Sequence, residues 1–405
     1  MNAMLSNRRT GFLAMALLVA GILVGCGGSA GSGGSTAGGP SQTEQAAECP
    51  PDEPGWQHIN TLGGDTDGKH IELGGGHATG VCELLLVGGQ GPVLGMEPTS
   101  PVVEGTLPPI PPATPTIDYA GVLLLSTDGG NSARITHTFR NASSLRSITF
   151  TDQVNGWIRT DIDRLFRSTD GGATWAEAPG FPLNQPSLAV AGDRLVLSGE
   201  ASGPFENTCG PPAILSSNDG GASWDRIHTV ETEGCFTYHD IDVRADTIAA
   251  VGTARGAGLV SISSDGGRSF EDTFFPVDEL YDIFEVAVTD EAIVMAGTSG
   301  FPTGEDVRVC KLRRRPQGSN EWQPTLVPEG SPCLTQLIFT SASRGYAVAH
   351  ALDGSGTGIA VTNDGGMTWQ TETLPGSPQY INQIFAASDG AIYALTRQDV
   401  YRRQP

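Results

Sequence analysis

The chain is 405 residues long and carries 45 acidic against 23 basic residues, a formal net charge of −22. A surface of that sign repels phosphate backbones and anionic headgroups, so binding to nucleic acid or adsorption to anionic lipid is excluded as a function. Lysine is nearly absent, with only Lys69 and Lys311, which genomic bias and solubility explain.

Residues 1–25 read as an export leader. Arg8 and Arg9 form a positive n-region, and the apolar run from Phe12 to Gly25 is too short and too abruptly ended for a stable membrane span. Leu23-Val24-Gly25-Cys26 resembles the lipobox of bacterial lipoproteins. That resemblance implies cleavage before Cys26 and lipidation of its sulfur and amine, a stable anchor because several acyl chains hold where one does not. Residues 26–48 follow as a Gly/Ser-rich tether. Loss of the leader leaves 21 basic residues against 45 acidic, a balance of −24. Gly27, being other than aspartate, is compatible with outer-membrane sorting, so the expected location is the outer membrane or surface of a bacterium.

Residues 49–405 are read as one domain. Gly55–Leu62 has the pattern of a strand. Asp65–Glu72 contains D-x-D-G but not the full spacing of a calcium loop, and is read as a plain turn. The glycine-rich Glu72–Gly80 lacks the Gly-Lys-Ser/Thr ending of a phosphate loop and is also read as a turn. Residues 91–118 form a proline-rich insertion between two strands, far longer than a usual connection. Such a segment can cover a channel mouth, present an extended recognition strand, or vary freely as a surface loop.

From here a phrase recurs. Ser168–Trp175 (STDGGATW) returns at Ser216–Trp224, Ser263–Phe270 and Val361–Trp369, and its Asp-Gly-Gly appears first at Asp128 with Ala133 in the aromatic's place. A degenerate copy without the Asp-Gly-Gly ends at Trp322. The aromatics Trp175, Trp224, Phe270, Trp322 and Trp369 are 49, 46, 52 and 47 residues apart, with 42 residues from Ala133 to Trp175. That is the period of a propeller blade.

Each unit holds four short segments bounded by turn residues, as in Arg146–Asp152, Gly156–Asp161, Arg164–Asp170 and Thr174–Pro179, and none has helical periodicity. The second segment is rich in small residues, which suits a strand crowded near a central axis. After Trp369 only three strands remain. The fourth is expected from Gly55–Leu62, with Trp56 in the aromatic position, closing the ring and leaving no long exposed edge. The expected fold is all-β, a seven-bladed propeller of four-stranded blades, with six blades as the alternative if the irregular first unit is not a blade.

Without Cys26, six cysteines remain: Cys49, Cys82, Cys209, Cys235, Cys310 and Cys333. An even number in an exported chain suggests disulfides, and neighbours straddling equivalent places favour Cys49–Cys82, Cys209–Cys235 and Cys310–Cys333. There is no CxxC or CxxH cluster for zinc, and the seven histidines are scattered without metal spacing. Neither metal nor cofactor is expected.

The phrase S-x-D-G-G-x-T-W resembles the Asp-box, or bacterial neuraminidase repeat, of β-propellers. The resemblance implies that Asp128, Asp170, Asp219, Asp265 and Asp364 accept backbone N–H groups within a tight turn. The glycines permit positive φ there, and Trp175, Trp224, Phe270 and Trp369 pack between blades. It implies structural aspartates, not catalytic ones.

Among such propellers the layout looks most like the photosystem II assembly and stability factor type. The resemblance implies a non-catalytic module that binds a membrane-protein subunit and assists its assembly; the expected partner here is an envelope protein, with a glycan as the alternative, and the expected state is a monomer. The photosystem-binding surface of those propellers is basic and this chain is acidic, so no binding residue is carried over. A sialidase is the alternative. Its early Arg-Ile-Pro motif finds only Arg134 in "ARIT", placed after an Asp-box; Tyr238, Tyr281, Tyr380 and many arginines are present, but nothing in the sequence brings an arginine triad or a Tyr–Glu pair together. A xyloglucan-type glycosidase needs two tandem propellers where this chain has room for one.

Overall fold

The computed structural model describes residues 49–50, 53–66, 69–80, 82–92, 119–140, 142–160, 164–178, 183–192, 194–202, 209–230, 236–254, 257–299, 309–327, 333–350 and 357–405. The leader, Cys26, the tether, Cys235 and all but the start of the proline-rich insertion lie outside them.

Seven antiparallel sheets, blades I to VII, follow one another along the chain. Blade I comprises Gly64–Thr66, Lys69–Ala78, Leu84–Pro92, Ala120–Ser126 and Arg134–Phe139. Blade II comprises Leu145–Phe150, Gly156–Thr160, Leu165–Ser168 and Ala176–Glu177, and blade III Leu183–Ala191, Arg194–Ser202, Cys209–Ser217 and Asp225–Thr229. Blade IV holds Phe236–Arg244, Thr247–Ala254, Ala257–Ser263 and Glu271–Phe275, and blade V Asp282–Val288, Ala292–Ser299, Val309–Pro316 and Gln323–Pro324. Blade VI holds Cys333–Phe339, Gly345–His350, Thr357–Thr362 and Gln370–Glu372. Blade VII is Gln383–Ala386, Ile392–Leu395 and Asp399–Arg403, completed by Trp56–Thr61, which pairs antiparallel with Asp399–Arg403. The ring therefore has seven blades, and the first unit gains a fifth strand instead of losing one.

Two readings of the sequence need correction. The glycine-rich Glu72–Gly80 is not a turn: most of it is the strand Lys69–Ala78 of blade I, which stands where the other blades have their first strand, Gly64–Thr66 being the added one. Its glycines allow close approach, since a Cβ at Gly75 would lie 2.4 Å from Gln383 Oε1 and 2.7 Å from the Arg146 carbonyl. The small residues of the second strands, in turn, do not line the axis. In blades IV and V they receive a bulge of the first strand, whose carbonyls press against Gly252 and Gly297, where a Cβ would meet Thr237 O at 2.0 Å and Asp282 O at 2.4 Å.

The core is a set of apolar clusters that mostly span two neighbouring blades, as ring closure requires. Trp369 is 3% exposed and packs between blades V and VI, edge-on to Phe339 at 6.1 Å. Trp175, Trp224, Phe270, Trp322 and Trp56 pack against the clusters at the preceding junctions and at the VI–VII seam. At the VII–I seam Ala133 stands in the aromatic's place, and the stacked Phe385 and Tyr393, 5.4 Å apart, supply the bulk from blade VII.

That seam carries further fasteners. The Cys49–Cys82 disulfide ties the segment entering blade VII to blade I, across a sequence separation of 33 residues. At the VI–VII junction Glu372 accepts hydrogen bonds from Trp56 Nε1 (2.9 Å) and from Arg403 Nε and Nη2 (2.8 and 2.9 Å). Cys310–Cys333 links blades V and VI. For the Cys209–Cys235 pair expected between blades III and IV, Cys235 lies outside the described residues.

Candidate functional site

Two groups of polar side chains recur around the ring. The first group sits in the turns between third and fourth strands. Asp170 Oδ1 accepts from Ser168 Oγ (2.8 Å) and Thr174 N (2.9 Å), its Oδ2 accepts from Thr174 Oγ1 (2.6 Å), and Ser168 Oγ accepts from Gly172 N (2.8 Å). The same knot forms at Asp128, Asp219, Asp265 and Asp364. In every copy both glycines have positive φ, 72° and 86° at Gly171 and Gly172, a region only glycine enters freely. The hydroxyl two residues before each aspartate is part of the knot, a role that had no place in the sequence reading.

These aspartates are committed to their turns. Donation from the Thr174, Ser223 and Ser269 hydroxyls, then from the same residues' amides, holds Asp170, Asp219 and Asp265 below the usual carboxylate range, Asp265 at about 2. At Asp128 and Asp364 burial opposes the shift, but the donated hydrogen bonds win. The first glycine of several knots donates to the turn between first and second strands, as in Gly171 N to Val154 O at 2.9 Å and Gly266 N to Asp246 O at 2.8 Å. One end of the ring is thus filled by self-satisfied turns. The second strands end and the third strands begin at the other end.

The second group lines the axis. A cavity of about 670 Å³ is walled by the first strand of every blade. Its charges are uneven, with Asp240, Asp242 and Glu285 on blades IV and V facing a wall that includes His77, Arg146 and Arg159 on blades I and II. Arg159 Nη1 donates to the Pro186 carbonyl at 2.5 Å. Burial keeps the His77 imidazole below its usual value, so it is neutral at neutral pH.

The channel carboxylates are not free. The first strand of each blade has its outer edge paired and its inner edge facing the channel, so its amides need acceptors. Asp240 Oδ2 accepts from Val286 N at 2.9 Å and Asp242 Oδ2 from Val288 N at 2.7 Å, each joining blade IV to blade V. Glu285, at the equivalent place in blade V, lines the cavity beside Gln336 and Leu337 of blade VI. Gln336 Oε1 accepts from Ile384 N at 2.9 Å in blade VII, and Gln383 Oε1 from Gly76 N at 2.6 Å in blade I. Asp240, Gln336 and Gln383 thus act as clasps, each holding the next blade. They and Glu285 sit in the tripeptide patterns HDI, TQL, NQI and FEV of the first strands, which is the sequence signal that could have found them.

Burial raises all three carboxyl groups, Asp242 to about 6; the neighbouring Asp242 adds to the rise at Asp240, and Asp240 to that at Glu285. Among the described residues no group of three or more His, Cys, Asp or Glu is arranged to hold a metal ion. His58, His228 and His239 pair with Asp399, Asp272 and Asp282.

The sequence matches no protein-family model and no curated protein. Its fold is similar to that of YCF48 bound to D1 peptide, with a TM-score of 0.52 and 16% identity, covering 89% of this chain and 99% of that one. It is also similar to an ancestral GH74 enzyme, with a TM-score of 0.55 and 14% identity over 86% of this chain and 46% of that one. Acylaminoacyl peptidase of Pyrococcus horikoshii gives a TM-score of 0.51 and 11% identity over 82% and 52%. This chain spans about half the length of each of the two enzymes. At these identities the likeness is one of fold.

Proposed function

We propose that the protein is a lipid-anchored, extracytoplasmic propeller that binds an envelope protein and serves as an assembly scaffold without catalysis. The observation that carries this reading is coverage. The chain and YCF48, solved with a D1 peptide bound, match over 89% and 99% of their lengths, whereas only 46% of the GH74 enzyme has a counterpart here. The channel supports it, because Asp240 and Asp242 are occupied as acceptors for the neighbouring strand. A glycosidase needs its carboxyl pair free to reach a sugar.

Anchoring is proposed through Cys26, on the lipobox-like LVGC. Metabolic labelling with a fatty acid, compared between the wild type and Cys26→Ser, tests it. Label and membrane association lost together in C26S support the anchor; an unlabelled wild type contradicts it. Assay of the purified chain on sialosides and β-glucans tests the absence of catalysis, and turnover that survives repurification would overturn it.

A further inference from the structure

The segment ahead of blade I is attached to the ring at two places. Trp56–Thr61 runs along the outer edge of blade VII, and Cys49 is bonded to Cys82 of blade I, across the VII–I seam. The two attachments differ in what holds them. None of the six side chains of Trp56–Thr61 is fully buried, its pairing ends at Trp56 opposite Arg403, and its register is broken between His58 and Asn60. An edge strand is held on one side only, so a load arriving through Gly55 acts on that last pair first and opens the strand one pair at a time.

Cys49 and Pro50 are seated against the Asp-box turn of blade I. Cys82 is 8% exposed, and its carbonyl accepts from Gly129 N at 2.8 Å. A Cβ at Gly129 would lie 2.6 Å from Pro50 Cδ. The Pro50 carbonyl accepts at 3.1 Å from Nη1 of Arg402, a side chain only 3% exposed in the third strand of blade VII. Just after Cys82 comes Leu84–Pro92, a strand paired on both sides whose Leu84, Leu86 and Val87 are fully buried.

We propose that Cys49, Pro50 and Cys82 form a tension clip: a pull on the chain ahead of Cys49 passes through the disulfide into the middle of blade I and bypasses the strand that closes the ring. The proposal rests on the reading that Cys26 is lipidated, since an anchor there is what puts tension on this segment. Without the clip the same pull falls on six residues of an edge strand. Peeling them leaves blade VII with three strands and strips Trp56 from the VI–VII seam. A covalent bond does not yield at loads that part backbone hydrogen bonds, each of modest net strength. Position decides the effect, because a bridge placed after Thr61 would leave the strand in the path of the load.

The test is single-molecule stretching of the full-length chain carrying Cys26→Ser, held by handles at its two ends, with and without the double change Cys49→Ser and Cys82→Ser. The chain is unlipidated, so the clip is tested whether or not Cys26 is an acylation site, and fatty-acid labelling decides that question separately. Trp56 and Arg403 lie opposite one another at the ends of their strands, so pulling the termini apart unzips this pair. With the clip removed an early step of about 2 nm is expected, the roughly 45 Å reach of Pro50–Leu62 less the roughly 20 Å the strand already spans, at well below the main unfolding force. With the clip intact that step should be absent. An early step of the same size and force in both proteins, or in neither, overturns the proposal. Should C49S/C82S not fold, a thiol admitted to the intact chain in the instrument decides. Its thiolate attacks one sulfur and the other cysteine leaves as a thiolate; a second thiol then frees the first cysteine, and the reductant ends as its own disulfide. Appearance of the 2 nm step, set by the same chain lengths, supports the clip, and its absence overturns it.

Discussion

Replacing Trp369 by alanine should weaken the V–VI junction more than any other single change in the repeated phrase. The side chain is 3% exposed, lies in the cluster with Val294, Leu312 and Leu337, and meets Phe339 edge-on at 6.1 Å. Its indole N–H has no hydrogen-bond partner, so the loss is one of packing alone. Burying an indole removes on the order of 200 Å² of surface, about 5 kcal/mol at 25 cal/mol per Å². Partial collapse of the site brings the expected loss to about 3–5 kcal/mol. For a domain of about 360 residues the unfolding entropy is roughly 0.75 kcal/mol per kelvin, so Tm should drop by about 4–7 °C. Trp175, only partly buried at the I–II junction, should lose about half as much on the same change. Calorimetry gives Tm and urea titration gives the free energy. A W369A loss below about 1 kcal/mol, or a W175A loss equal to it, would refute the claim that these aromatics hold neighbouring blades together in proportion to their burial.

Further perturbations probe the other fasteners. Removing the Cys49–Cys82 bridge by the double serine change should cost about 3–4 kcal/mol by loop entropy. It should also open the segment before Trp56 to limited proteolysis; unchanged digestion would show that the strand alone closes the ring. Gly75→Ala places a methyl against Gln383 Oε1 and the Arg146 carbonyl, so a loss of about 1–3 kcal/mol is expected in urea titration, with a silent substitution contradicting the close approach. Asp219 lies well below the ordinary carboxylate range because the Ser223 hydroxyl and amide donate to it. Its contribution is present above the unfolded value and is lost as pH falls toward the folded one. Asp219→Asn should therefore lower stability at neutral pH and flatten the acid limb of the profile; an acid limb identical to the wild type's would count against the knot as an electrostatic device.

The repeat and the closing strand were legible because they are written in residue types with one mechanism each. Asp-Gly-Gly followed by a hydroxyl and an aromatic encodes a left-handed turn and an interblade plug, and Trp56 repeats the plug at the far end of the chain. The first strand of blade I was not legible. Gly74, Gly75 and Gly76 look like a turn until the neighbouring strands are in place, since what demands glycine is the approach of Leu145 O, Arg146 O and Phe385. The channel clasps were missed for a related reason. Asp240, Glu285, Gln336 and Gln383 are four residues among many polar ones, and only their shared place on the channel side of successive first strands makes them equivalent. The assignment of small residues to the axis failed because the bulge, not the axis, is the crowded place.

The most direct test of the proposed function is in-cell crosslinking of the full-length protein carrying photoreactive residues, followed by mass spectrometry of the captured species. Capture of one envelope protein, reproducibly and from a defined set of positions on the ring, is the result the scaffold reading predicts. Recovery of glycan with no protein partner would contradict it.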